Sequence, residues 1–266
     1  MKLKKKKQLI MMKLSTLHSS FDESTHCKYG LIDILKLQQF QKQIDWNLQW
    51  ACHIEIGKYI RKLCSLTRRN MIKTAIRIHS SSIIYYRRFY AQRLITEIDP
   101  RLIAATCVFF SSKVEGCLIS PHSIIEYSKQ IIEFPFKIQQ LTDTERILIE
   151  ALKKTLIVWH PEKDYEDICN SSQLPEFVCE TVQSILNDAY LTNAIITYQP
   201  TEITLGCVVV AGILQNCDIR TLLCSISINL HHVEAVANEI LNYYSFINSE
   251  EYLSYQQKAK EIIHVL

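Results

Sequence analysis

The stretch Asp99-Pro100-Arg101-Leu102-Ile103-Ala104-Ala105-Thr106-Cys107-Val108-Phe109-Phe110-Ser111-Ser112-Lys113-Val114-Glu115-Gly116 decides the fold. Asp99 is a good helix cap, and Pro100 suits a first turn, where the N–H groups have no intrahelical partner. From Leu102 to Phe110 only Thr106 is polar. A helix apolar on every side has to be enclosed by other helices, so this stretch predicts a central core rod. Lys113, Val114 and Glu115 stand where the rod surfaces, beside Gly116, and are the first candidates for a contact face.

The same design returns one hundred residues later. Gln199-Pro200-Thr201-Glu202 opens Ile203-Thr204-Leu205-Gly206-Cys207-Val208-Val209-Val210-Ala211-Gly212-Ile213-Leu214. Pro100 corresponds to Pro200, Cys107 to Cys207 and Val108 to Val208, and a tyrosine-bearing, helix-like segment precedes each rod. A period this long points to duplicated domains and not to a solenoid of short units.

Composition agrees with an all-α fold. A chain of 266 residues is long enough for two domains with separate cores. Its 5 glycines and 6 prolines are few for a protein of tight hairpins and enough for long helices joined by short loops. The 10 cysteines contain no Cys-x-x-Cys pair, and Cys107 and Cys207 sit within the rods as small hydrophobes. Neither a zinc site nor a disulfide scaffold is indicated, so a reducing compartment is expected. No uncharged apolar run reaches the roughly 18 residues of a membrane span. The lysine run at Lys4–Lys7 reads as a nuclear address or as a solvated arm.

Periodicity places the remaining helices. Trp46, Trp50, Ile54, Ile56 and Ile60 mark one; Ile72, Ile76, His79, Ile83 and Tyr86 mark the next, with His79 as a core histidine. Thr142-Asp143-Thr144-Glu145 reads as a capping box opening a helix that runs to Val158, before Trp159-His160-Pro161. The expected organisation is a disordered basic arm over 1–20, an N-terminal helical segment over 21–43, a first five-helix repeat over 44–161, a second over 162–248 and a C-terminal helix over 249–266.

The motifs of common chemistries are missing. With so few glycines there is no phosphate-cradling loop and no Gly-x-Ser-x-Gly elbow. His231-His232-Val233-Glu234 lacks the i, i+4 histidine pair of a zinc protease. No catalytic residue, metal ligand or cofactor is therefore assigned. Ten basic residues and no acid lie between Lys58 and Arg93, a pattern that suits either an acidic partner or solvated helix faces.

Two consecutive five-helix repeats carrying the 99–115 stretch resemble the cyclin family, and within it the cyclin C branch. Phe21-x-x-Ser24-Thr25-His26, Tyr86-x-Arg88-Phe89-Tyr90-Ala91, Leu156-Ile157-Val158-x-His160-Pro161 and Ile185-x-Asn187-Asp188-x-Tyr190-x-Thr192 extend the resemblance over nearly the whole folded part. It implies a non-enzymatic regulatory subunit that binds a cyclin-dependent kinase as a heterodimer and acts in RNA polymerase II transcription. Further Mediator subunits are implied as partners, and the nucleus as location. Membrane association and direct nucleic-acid binding are not expected.

In the family, a lysine at the end of the third helix and a glutamate in the fifth contact the kinase. Lys113 and Glu150 are the residues taken to match, with Val114 and Glu115 beside Lys113. Elementary readings compete with these. Lys113 is favoured by the helix dipole alone, by about 0.3–1 kcal/mol, and Glu150 is placed to pair with Arg146 and Lys154 on its own helix. The family commonly has a second glutamate where this chain has Gly116. Leu48–Ile54 departs from the Met-Arg-Ala-Ile-Leu docking patch of cell-cycle cyclins, so that docking is not expected. The alternatives are a cyclin H-like or other transcriptional cyclin, and a two-repeat nucleic-acid-binding factor similar to general initiation factor B.

Overall fold

A computed structural model describes residues 20–67, 72–153, 155–171, 174–224, 226 and 228–263. The basic arm expected over 1–20 lies, apart from Ser20, outside the described residues. Among them there are thirteen α-helices and no strand. In chain order they are α1 (Ile34–Gln41), α2 (Trp46–Leu66), α3 (Ile72–Phe89), α4 (Pro100–Val114), α5 (Pro121–Lys129), α6 (Ile138–Leu152), α7 (Pro161–Ser171), α8 (Glu176–Ala189), α9 (Ala194–Thr197), α10 (Pro200–Leu214), α11 (Arg220–Leu223), α12 (Leu230–Ile247) and α13 (Glu250–Ile263). A π-helical turn, His26–Gly30, precedes α1.

The chain divides into two compact units. The first comprises Ile32–Val158 and Phe246–Leu266. Its axis is α4, buried along its whole length from Pro100 to Ser112 and packed by α2, α3 and α6. The start of this rod is fixed as its sequence implies: Asp99 Oδ1 accepts the Arg101 N–H at 2.9 Å, and the Arg101 guanidinium turns back to Asp99 at 2.6 Å. Its all-round apolar surface is what the surrounding helices bury, at about 1.5–3 kcal/mol for each large side chain.

The last helix completes this unit. α13 packs on α2, and beside it the Trp50 ring stacks on Phe246, in the last turn of α12, at 4.6 Å with an interplanar angle of 4°. Glu55, on α2, receives hydrogen bonds from Gln256 Nε2 at 2.9 Å, Tyr252 Oη at 3.3 Å and Lys58 Nζ at 2.6 Å. Burial alone would raise the Glu55 carboxyl, but the Lys58 and Gln256 donors outweigh it and hold the group below the usual carboxylate range.

The second unit comprises Trp159–Ser245 with the N-terminal residues through Leu31. α10 is its buried axis, packed mainly by α8 and α7. Thr201 Oγ1 donates to Asp164 at 2.6 Å and Thr204 Oγ1 to the Pro161 carbonyl at 3.0 Å, which pins α7 to α10. A side chain at Gly206 would place its Cβ 2.4 Å from Val236 Cγ1, so the glycine is what lets α12 approach. The N-terminal motif has a structural part here. The Phe21 ring meets Trp159 edge-on, and His26 Nδ1 accepts the Trp159 N–H at 2.9 Å.

Three readings of the sequence are corrected by these coordinates. Thr142–Glu145 opens no helix. α6 starts at Ile138, where the Gln140 side chain takes the Lys137 N–H at 2.9 Å, and Thr142 Oγ1 bonds back to the Gln139 carbonyl at 2.9 Å. Nor does that helix reach Val158. It ends at Leu152, and Lys153 turns into positive φ at 47°. Beyond it residues 155–160 form no helix, and Arg88 Nη1 reaches the Thr155 carbonyl at 2.9 Å and Tyr85 Oη the Leu156 carbonyl. Finally, the Lys58–Arg93 basic run is not one positive surface, because Arg87 and Arg88 are buried.

Cys107 and Cys207 are fully buried as read, and burial pushes both thiols up, away from reactivity.

Candidate protein-docking site

The C-terminal end of α4 builds the site. The rod surfaces at Lys113, where the unpaired carbonyls of a helix end favour a cation. Lys113 Nζ lies 2.7 and 2.8 Å from the two oxygens of Glu145 on α6, and 4.0 Å from the centre of the Phe109 ring one turn back. The ammonium is thus held in place and still 38% exposed, while the carboxylate beneath it is 14% exposed. The pair presents positive charge outward.

Val114 is 43% exposed next to this charge. Glu115 behaves differently: its carboxylate is turned inward, accepting Ser81 Oγ at 2.8 Å and lying 3.8 Å from Arg77 Nε. It clasps the end of α4 to α3. Gly116 follows in the left-handed region at φ 69°, and the Cys117 N–H returns to the Ser112 carbonyl at 2.8 Å. This is the six-to-one bond of a glycine-terminated helix. Where the family has a second glutamate, this chain has the residue that stops the helix.

Glu150 is not brought to this corner. Its helix buries Leu141, Thr144, Leu148 and Leu152. At 100° per residue, Glu150 lies roughly 140° around the axis from Glu145, and it is exposed. The glutamate beside Lys113 is Glu145, which the sequence reading spent on a helix start. Its signal was present, since Leu141, Thr144 and Leu148 form a buried stripe that Glu145 borders. Ile138, Glu145 and Ile149 share the neighbouring stripe, and both isoleucines are exposed, at 43% and 40%.

The corner holds no nucleophile–base pair, and among the described residues no cluster of three or more His, Cys, Asp or Glu is placed to hold a metal ion. No described helix is long and apolar enough to cross a membrane. The corner sets a held cation beside exposed aliphatic side chains.

Residues 59–157, which include this corner, match the family described as "Cyclin, N-terminal domain". That match makes residues 59–157 a cyclin N-terminal domain. The chain is 27% identical to Cyclin-C1-1 of Oryza sativa subsp. japonica over 85% of its own length and 89% of that protein. Cyclin-C of Rattus norvegicus is 27% identical over 85% and 83% of the two chains. Among solved structures, a chain of the CAK complex of Chaetomium thermophilum bound to ATP-gamma-S superposes with a TM-score of 0.66 at 15% identity, covering 93% of this chain and 89% of that chain. A chain of the yeast RNA Pol II CTD kinase CTDK-1 complex does so with 0.65 at 16% identity, over 87% and 82%. At such identities these structures establish the fold.

Proposed function

We propose that this chain is a cyclin, the regulatory subunit of a cyclin-dependent kinase acting in RNA polymerase II transcription, as part of a Mediator-type kinase module in the nucleus. The observation that carries the reading is the corner at the end of α4: Lys113 held by Glu145, with Val114, Ile138 and Ile149 exposed around it. The likeness to C-type cyclins along 85% of the chain supports the transcriptional branch.

The action is that of a selective ligand. An active kinase needs the glutamate of its αC helix beside the lysine that holds the ATP phosphates. The corner binds the kinase with αC turned inward better than the resting form, and the population shift cannot exceed that difference in affinity. The exposed aliphatic groups supply contact area. Lys113, already oriented by Glu145 and the Phe109 ring, supplies a directed polar contact at little entropic cost. Glu145 takes the place that the sequence reading gave to Glu150, and Glu115 acts from beneath by fixing the end of α4.

The test is co-expression with the Mediator-type kinase of the same cell. A stable heterodimer that phosphorylates a polymerase C-terminal-domain peptide supports the reading. A well-folded Lys113→Glu, Val114→Asp variant that still binds and activates the kinase overturns the assigned surface.

A further inference from the structure

The corner of the first repeat is built a second time, one hundred residues on. Ser81 Oγ donates to Glu115 at 2.8 Å; Gln215 Nε2 donates to Thr181 Oγ1 at 2.9 Å. Gly116 has φ 69° and Asn216 φ 50°. The Cys117 N–H reaches the Ser112 carbonyl at 2.8 Å, and the Cys217 N–H reaches the Gly212 carbonyl at 2.9 Å. Backbone turn and side-chain clasp are both reproduced, so α10 and α8 meet as α4 and α3 do.

What this second corner displays is different. Phe177 stands where Arg77 stood, Ile213 in place of Lys113 and Leu214 in place of Val114. The three are 51%, 61% and 58% exposed. Phe177 stands on α8 and Ile213 and Leu214 end α10, the helix whose next residue, Gln215, bonds to Thr181 of α8, and exposed apolar side chains that make one patch mark an interaction site. The segment that carries them is acidic. Residues 159–245 carry eleven Asp or Glu against two Lys or Arg, Lys163 and Arg220, and Arg220 is already paired with Asp218 at 2.7 Å. Glu176 and Glu180 flank Phe177 on α8 and are exposed.

We propose that Phe177, Ile213 and Leu214 form a second docking surface, occupied by a segment of a partner protein that places an apolar side chain between lysines or arginines. The apolar trio provides the anchor contact, and the acidic repeat attracts a basic segment and repels an acidic one or a nucleic acid. The inference does not depend on the kinase reading, since it uses second-repeat residues only. It makes this chain a bridge between what the first repeat holds and what the second repeat recruits.

Photo-crosslinking tests it. Benzoylphenylalanine is placed at Phe177, at Leu214 or, as control, at the exposed Leu230 of the full-length chain in its own cells, and crosslinked peptides are sequenced by mass spectrometry. The expected result is a single protein segment with an apolar residue flanked by basic ones, captured at Phe177 and Leu214 and not at Leu230. Its yield should fall about tenfold with Glu176→Lys, Glu180→Lys, surface changes that leave the melting temperature in place. Yields no higher than at Leu230 overturn the proposal. So does capture of a neutral or acidic segment, of residues 1–19 of this chain, or of a second copy, and so does a yield indifferent to the charge reversal.

Discussion

Lys113 is held between two groups: the Glu145 carboxylate at 2.7 Å and the face of the Phe109 ring at 4.0 Å. Such a half-exposed pair contributes little to stability, about 0–1 kcal/mol, so its value lies in orientation. Lys113→Glu should melt within a few degrees of the wild type by circular dichroism and lose kinase co-purification more than tenfold. Glu145→Ala should weaken kinase binding by about threefold to tenfold, since Lys113 stays but is no longer aimed. Glu150→Ala should leave binding unchanged. A loss with Glu150→Ala and none with Glu145→Ala would reverse the assignment.

His53 makes the first unit sensitive to acid. It is fully buried on α2 among the rings of Trp46, Tyr86 and Tyr90, and its Nδ1 lies 3.2 Å from Tyr86 Oη. Burial, with the nearby Arg87 charge, holds the imidazole well below its usual value. The unfolded chain therefore binds a proton that the folded chain refuses. Stability is full above about pH 6.5 and declines as pH falls below it toward the folded-state value. The midpoint of urea unfolding should drop between pH 6.5 and 5 in the wild type and drop less in His53→Asn; identical slopes would refute the role of this residue.

Glu55 adds a second acid-sensitive contact at lower pH. Its carboxyl is held below the usual range in the fold, so its contribution is present above about pH 4.3 and disappears as pH falls through the folded-state value. Glu55→Gln removes the charge that Lys58, Tyr252 and Gln256 share. It should lower stability at pH 7 by about 1–3 kcal/mol and abolish that part of the pH dependence. Hydrogen exchange should localise the loosening to α13.

Gly206→Ala tests a close helix contact of the second unit. The added Cβ meets Val236 Cγ1 at 2.4 Å, and the Ala237 backbone nitrogen at 3.3 Å leaves α12 little room to retreat. A loss of about 1–3 kcal/mol is expected. Pairing it with Val236→Ala should restore part of that loss, whereas a strictly additive double variant would show that the two positions do not compete for space.

The two rods were legible because both signals are local: Asp99-Pro100 and Gln199-Pro200 open apolar runs broken only by Thr106 and Thr204, and the first is buried through Ser112 and the second, apart from Val209, through Gly212. The register of α6 was not legible. Thr142 and Glu145 have the spacing of a cap, but Gln140 takes that work, which frees Glu145 for Lys113 from thirty-two residues away. The stacking of Trp50 on Phe246 was hidden for a related reason, since no periodicity in α2 says which distant helix covers it. The end of α6 depended on Arg88 and Tyr85, whose need for the carbonyls of Thr155 and Leu156 overrides the helical pattern of that stretch.

The seating of α13 on α2 carries a consequence for biosynthesis. The segment that closes the first bundle is translated only after the entire second bundle has been made. A ribosome-bound intermediate therefore carries an unsealed α2, with Trp50 awaiting a ring still to be polymerised. The module emerging earliest is finished last, and a prematurely terminated product should be recognised by quality control before it can capture an enzyme.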